Sequence, residues 1–337
     1  MKLDLYVAIG GQSTEHEVSI KSGFNILTSA NKDKYNINVL YITQMGDFAA
    51  FPMPNDISLE SFFDLLKTTK AENKTHVLKE HFSCNKNKVV FPIIHGQFGE
   101  DGRIQGLFDY LCVPYVGSSV SASAVGMDKA LMKLVAKSLD IPMADFVCLN
   151  SADEIFECRE KLEFPLFVKP SNGGSSVGAS SAKNMKELEC ALNLAFKYDN
   201  KVLVEELIVG REIEVCILGN KNLLLGAGEF IRDPSFFDYH AKYLDKSLKM
   251  QIPAIVDNDD LKKIEEYAVK IFNAIGAKGL SRVDFFYTDE GLIFFNEINT
   301  LPGFTLMSMY PSLFNKLHDI NPTKLIDKLI DLAFEKL

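Results

Sequence analysis

The residues best able to do chemistry in this 337-residue sequence lie near its C-terminus, in two strand-like runs, LSRVDFFYT and GLIFFNEIN, joined across Asp289-Glu290. A loop of two or four residues would pair Thr288 with Gly291 and set Arg282 opposite Glu297. Because side chains alternate along a strand, Arg282, Asp284, Glu297 and Asn299 then share one face. Three oxygen donors beside an arginine, in aromatic and apolar surroundings, suit hard Mg²⁺ ions that keep waters and bridge phosphates. The arginine would neutralise charge that develops during a transfer. The plainer alternative is a solvated face with an Arg–Glu cross-strand pair. The continuation NEINTLPGF favours the first reading, since backbone N–H groups of a Pro-Gly turn can also face an anion.

A second feature is SNGGSSVG, from Ser171 to Gly178, whose glycines and serines allow close backbone approach and offer N–H and O–H donors to phosphate. It is not a Walker A loop, because Ala179-Ser180 stands where Lys-Ser/Thr must be. A flexible hairpin accounts for the loop alone at least as well. Lys169 shifts the balance, since a lysine on a strand that reads as buried needs an anionic partner. Lys129 and Lys242 are candidates for the same phosphates, against the simpler reading of solvated surface. Among the histidines only His95, at a strand end before GQFGEDG, has a suggestive context; His16 reads as surface or capping. Phe285-Phe286-Tyr287 and Phe294-Phe295 read as core. Neither G-x-S-x-G nor H-E-x-x-H occurs.

These residues need a scaffold of alternating elements. Leu5 to Ile9 reads as a strand ending in Gly10-Gly11, followed by a capping box at Thr14-x-x-Glu17 and a helix. Further apolar runs at Ile37–Ile42 and Val89–Ile94 make the first 120 residues an α/β layer with a parallel sheet, whose ligands gather at the carboxyl ends of strands. A helix is expected over Ser119–Leu139, strands at Phe164–Lys169 and Val202–Glu206, two strands between Glu212 and Glu229, and a helix over Asp257–Ile275. The long irregular stretch Arg232–Ser247 reads as a functional loop. Forty-five acidic against thirty-six basic residues give a net charge of −9. With no basic block, that disfavours nucleic acid or an anionic membrane as partner. The six scattered cysteines lack metal spacing and read as small buried residues of a reducing compartment. The N-terminal apolar run is too short for a signal or a membrane span, so a cytoplasmic protein is expected.

Taken in order, GGQSTEHEVS, HGQFGEDGRIQG, MDKALMK, VKPSNGGSSVG, GREIEV, DYHAKY, SRVDFF and NEINTLPGFTLMSMYP resemble the D-alanine–D-alanine ligase family over nearly the whole chain. The resemblance implies an ATP-grasp fold: an N-terminal parallel-sheet α/β domain (1–120), a small central domain (121–208) and a C-terminal antiparallel-sheet domain (209–337), with ATP between the last two. It implies that Glu15 and His95 hold the first D-alanine, with Ser175 close to Glu15. Lys129, Lys169 and Lys242 would contact the ATP phosphates, with Ser176 at the same loop. Glu205 and Glu206 would stand at the adenine edge, and Glu212 at the ribose. Asp284, Glu297 and Asn299 match the ligands of two Mg²⁺ ions. Arg282 and the Gly303 N–H would form the oxyanion site, and Ser308 and Met309, with Lys242, the second-substrate side. Tyr243 would bond toward Ser175 and Glu15 and favour an amine as second substrate. The resemblance also allows Mn²⁺, an added monovalent cation and a homodimer. Ser119 and Glu206 depart from common family residues, which affects subsite detail only.

The reaction so implied makes an acyl phosphate from the first D-alanine, which the second then attacks, with Arg232–Ser247 as a lid against water. D-lactate or D-serine as second substrate is the nearest alternative. A non-catalytic nucleotide-binding protein conflicts with the intact set of phosphate and metal residues. A metal-dependent hydrolase built on His95 leaves the glycine loop and lysines unexplained.

Overall fold

The β-branched and aromatic residues of Leu3–Gly10 form β1, followed by α1 (His16–Ser29), β2 (Tyr35–Ile42), β3 (Phe48–Pro52), α2 (Leu59–Thr68), α3 (Lys74–Phe82), β4 (Lys88–Pro92) and α4 (Arg103–Tyr110). The computed structural model describes residues 2–83, 87–231 and 249–335. The first sheet runs β3-β2-β1-β4, with β2, β1 and β4 parallel. The expected parallel sheet therefore gains an antiparallel edge, β3. Thr43 to Asp47 is too short for a parallel crossover, which needs roughly a dozen residues, and Gly46 at φ +85° turns the chain straight back. The capping box does not form: α1 starts after Glu15, whose side chain makes no cap bond. Ser13 organises the turn instead, its Oγ accepting from the Glu15 N–H and donating to the His95 carbonyl.

The single helix expected over Ser119–Leu139 is two, α5 (Val120–Met127) and α6 (Lys129–Ser138). Asp128 breaks the run because its carboxylate caps α6, accepting from the Ala130 and Leu131 N–H groups. The second sheet, β5-β8-β6-β7, is antiparallel and uses β5 (Phe146–Leu149), β6 (Leu166–Pro170), β7 (Ser180–Ala182) and β8 (Val202–Glu206). Helices α7 (Phe156–Lys161) and α8 (Met185–Ala195) supply its core, among them Leu188 and Leu192.

The third sheet, β11-β10-β9-β12-β13, is also antiparallel. It uses β9 (Arg211–Gly219), β10 (Leu224–Ile231), β11 (Lys249–Gln251), β12 (Gly279–Tyr287) and β13 (Ile293–Asn299). One face packs Ile213, Val215, Val283 and Phe285 against α9 (Asn258–Ala274) and α6. The last helices, α10 (Met309–His318) and α11 (Pro322–Phe334), bury Leu313, Leu325 and Leu329 in one core with Val7, Ile9 and Phe91 of the first sheet. That shared core fixes the N-terminal strand ends over the C-terminal sheet. Cys158 and Cys216 are buried as expected, whereas Cys112 and Cys190 are exposed.

Candidate active site

The β12–β13 hairpin differs from expectation in two ways that cancel. Its loop has three residues, Asp289 to Gly291, closed by the Thr288 N–H donating to the Leu292 carbonyl, with Gly291 at φ +78°. A bulge then lets Asp284 pair with Glu297 while Phe285 pairs with Phe295, leaving Asn296 extra. Arg282 therefore lies opposite Asn299 rather than Glu297. Two one-residue offsets add to a full period, so the four residues still share a face. Strand β9 extends that face, since Glu214 pairs with Asp284 and Glu212 with Phe286. Glu214 was missed, although the alternation in GREIEV would have revealed it. Phe286 does not belong to the core: it is half-buried and lines the cleft described below.

Arg282 grips Asp284 with two bonds of 2.7 Å and approaches Glu214 at 3.4 Å. Burial pushes the Asp284 carboxyl up; Arg282 only partly offsets it, and Glu212 and Glu297 add to the rise. Glu297 pairs with Lys129 at 3.1 Å. Lys129, at the first position of α6, also donates to the Gly173 carbonyl at 2.7 Å. Burial alone would lower its ammonium, but Glu297, Glu100 and Glu15 hold it above its ordinary value. Lys129 is thus no solvated surface residue.

The glycine loop follows β6 and is anchored at its start. Ser171 donates to Asp128, and the Asp199 carboxylate accepts from both nitrogens of Asn172. Its tip holds Ser175 and Ser176 at φ +51° and +57°, a conformation non-glycine residues seldom adopt. That turn aims the Ser175 hydroxyl at Glu15 Oε1, 2.5 Å away. The approach leaves no spare room, since a Cβ on Gly174 would sit 2.5 Å from Glu15 Oε2. Glu15 follows the end of β1 and His95 the end of β4, so neighbouring parallel strands deliver both to the same place.

His95 is buried, and burial pushes its imidazole down, so it is neutral near pH 7. Its Nε2 meets the Ser22 hydroxyl at 3.0 Å, and Ser22 also accepts from the Phe304 N–H. This serine, not anticipated from sequence, ties His95 to the turn that carries Gly303. A Cβ on Gly303 would lie 2.8 Å from the Ser308 Oγ, which accepts from the Thr305 N–H. Met309 is buried in the core beside Gly228, leaving only its backbone for a substrate. His16 is buried too: its Nδ1 lies 2.6 Å from the Gly11 carbonyl, which corrects its reading as a surface residue.

Between the second and third sheets lies a cleft of about 520 Å³ lined by Lys129, Lys169, Ser175, Ser176, Glu212 and Glu297. Lys169 is buried as expected, but its partners are Glu205 at 2.6 Å and Asn296 at 3.2 Å. Glu205 is also held by Lys133 at 2.7 Å. Glu206 lines the cleft and accepts from the Glu163 N–H. Lys242, Tyr243 and the segment Arg232–Ser247 lie outside the described residues, as do His240 and Cys84.

Asp284, Glu297 and Asn299 supply hard oxygen donors on one face, and with Glu212 and Glu214 they outnumber the cations Arg282 and Lys129. That donor chemistry and acidic excess fit Mg²⁺. Among the described residues no three His, Cys, Asp or Glu side chains converge as a ready-made metal cage.

Glu100 is a further buried group, accepting from the Gly96 N–H at 2.6 Å. Its carboxyl is pushed up to about 8, first by burial and then by Glu15. With the folded-state value above the ordinary 4.5, its contribution is fully present below about pH 4.5 and is lost as pH rises through about 8. Glu100→Gln keeps an acceptor for Gly96 but cannot ionise. It should unfold at the wild-type temperature near pH 5 and at a higher one at about pH 9. A constant difference in Tm across that range would contradict the burial of an ionisable carboxyl here.

The family model for the D-ala D-ala ligase N-terminus matches residues 4–118, and that for the C-terminus matches residues 134–331. The chain belongs to the D-ala D-ala ligase family. A D-alanine–D-alanine ligase of Streptococcus pneumoniae is 41% identical over 99% of this chain and 97% of its own length. Among solved structures, the VanG D-Ala:D-Ser ligase of Enterococcus faecalis is 34% identical with a TM-score of 0.85, covering 99% of this chain and all of that one. The D-alanine–D-alanine ligase of Coxiella burnetii is 32% identical with a TM-score of 0.81, covering 99% and 94%. The sheets are therefore those of the ATP-grasp fold seen in this ligase family.

Proposed function

We propose that the protein joins two D-alanines into D-alanyl-D-alanine with conversion of ATP to ADP and phosphate, for the synthesis of peptidoglycan precursors in the cytoplasm. The observation that carries this reading is the Ser175–Glu15 bond, which connects the glycine loop of the cleft to the strand ends of the N-terminal sheet. A nucleotide bound in the cleft then has its γ-phosphate next to a substrate held over those strand ends.

Glu15 and neutral His95 orient the first D-alanine, whose carboxylate oxygen attacks the γ-phosphorus as the bond to ADP breaks. Lys129 and Lys169, with Lys242, take up the phosphate charge, so transfer rests on positioning and electrostatics rather than on a protein nucleophile. Asp284, Glu297 and Asn299 would hold two Mg²⁺ or Mn²⁺ ions, which when bound neutralise phosphate charge. The amine of the second D-alanine, its carboxylate near Ser308, attacks the acyl carbon. Arg282 and the Gly303 N–H receive the oxyanion, and its collapse expels phosphate, which carries off the amine's proton. On this reading residues 1–120 bind substrate, and 121–208 and 209–337 enclose the nucleotide. No helix among the described residues is long and apolar enough to cross a membrane.

The expected result is ADP release that requires D-alanine and fails with L-alanine, measured on the purified protein with ATP and Mg²⁺. Equal release with either enantiomer, or none, would defeat the reading. The likeness to the VanG D-Ala:D-Ser ligase favours D-serine as the second reading, so D-serine is offered against D-alanine in the same assay.

A further inference from the structure

One buried cation in the cleft has no part in the steps above. Lys133 lies one helical turn after Lys129 and is 1% exposed. A lysine is rarely so deep without an anion to hold it. Its Nζ is 2.7 Å from Glu205 Oε2 and 3.4 Å from the Ala144 carbonyl, and it stands 5.5 Å from the Phe146 ring centre. The other oxygen of the same carboxylate, Glu205 Oε1, is taken by Lys169 at 2.6 Å. Two ammonium groups therefore share one buried carboxylate, and all three line the cleft.

The two lysines are not equivalent. Among the described residues the second polar partner of Lys169 is the neutral Asn296, and Lys169 stands on β6 directly before the glycine loop. Lys133 is packed inside, fixed by α6 on one side and the Ala144 carbonyl on the other. If Lys169 turns toward an anion in the cleft, Glu205 still has Lys133. Without Lys133 the same movement would strand a buried carboxylate, a state far costlier than a paired one.

We infer that Lys133 is a positioning residue for the nucleotide: by holding Glu205 from the inner side, it frees Lys169 to leave that carboxylate for a phosphate. The inference rests on the cleft being the ATP site. Lys133 itself touches no phosphate, and its effect passes through Glu205 and Lys169.

The test is equilibrium binding of ATP with Mg²⁺, without D-alanine, by calorimetry on the full chain, with circular dichroism and thermal unfolding to verify the fold. Lys133→Met should weaken ATP binding by about tenfold or more, while kcat at saturating ATP falls much less. Lys133→Arg, which keeps the charge, should stay close to wild type. If Lys133→Met does not fold, Lys133→Gln, which also removes the charge, carries the test beside the arginine variant and should bind ATP as weakly. Wild-type ATP affinity in a folded Lys133→Met or Lys133→Gln overturns the inference, as does an arginine variant as weak as either. A wild-type protein that binds no ATP overturns the nucleotide reading and this inference with it.

Discussion

Arg282→Ala is expected to lower kcat by roughly 10²–10³, because it removes a preorganised donor from the position proposed for the developing oxyanion. The structure adds a second consequence. Asp284 is fully buried and both its oxygens are taken by Arg282, so alanine leaves a buried carboxyl without its main counter-charge. Breaking a buried pair from one side costs about 3–5 kcal/mol, so a lower Tm should accompany the lost rate. Arg282→Lys separates the two effects. Lysine restores charge but not the two-pronged fit, so Tm should partly recover while kcat stays low. Steady-state kinetics beside thermal unfolding checks this. Recovery of both by lysine would mean that Arg282 acts only as a structural counter-ion.

Lys129→Met carries the second large effect. The ammonium joins α6, the glycine loop and β13, through Glu297 at 3.1 Å and the Gly173 carbonyl at 2.7 Å. It also sits in the combined field of Glu100 and Glu15. Methionine retains most of the apolar stem but removes this shared cation, leaving the acids around the cleft to repel phosphate. We expect kcat/KM for ATP to fall by about 10² or more, with Lys129→Arg recovering part of it. An unchanged kcat/KM for ATP in folded Lys129→Met would remove Lys129 from the phosphate site.

Much of this site was legible because strand periodicity is robust to small errors. The face bearing Arg282, Asp284, Glu297 and Asn299 survived a wrong loop length because the bulge at Asn296 added a compensating offset. A loop of three residues and a bulge are both set by backbone conformations, Gly291 at φ +78° among them, that apolar patterning does not register. Lys169 was readable for a different reason: a charge on an apolar strand needs a partner. That its partner is Glu205, shared with Lys133, was not readable, since it depends on β6, β8 and α6 meeting around one carboxylate. Ser22 and Glu100 were hidden likewise, because a serine in a helix and an acid in a glycine-rich turn acquire meaning only from what they face. The break at Asp128 was visible in principle, as aspartate is a strong N-cap, but the apolar pattern runs through it.

Direct phosphorylation of the first D-alanine's carboxylate, as proposed, leaves an isotopic record in both products. D-alanine labelled with ¹⁸O in its carboxylate is incubated with the protein, ATP and Mg²⁺, and the released phosphate and the dipeptide are weighed by mass spectrometry. Attack of the carboxylate on the γ-phosphorus, followed by expulsion of phosphate from the acyl carbon, carries one labelled oxygen into each phosphate formed and leaves one in the new amide. Phosphate that gains no label while D-alanyl-D-alanine accumulates would contradict the acyl-phosphate route.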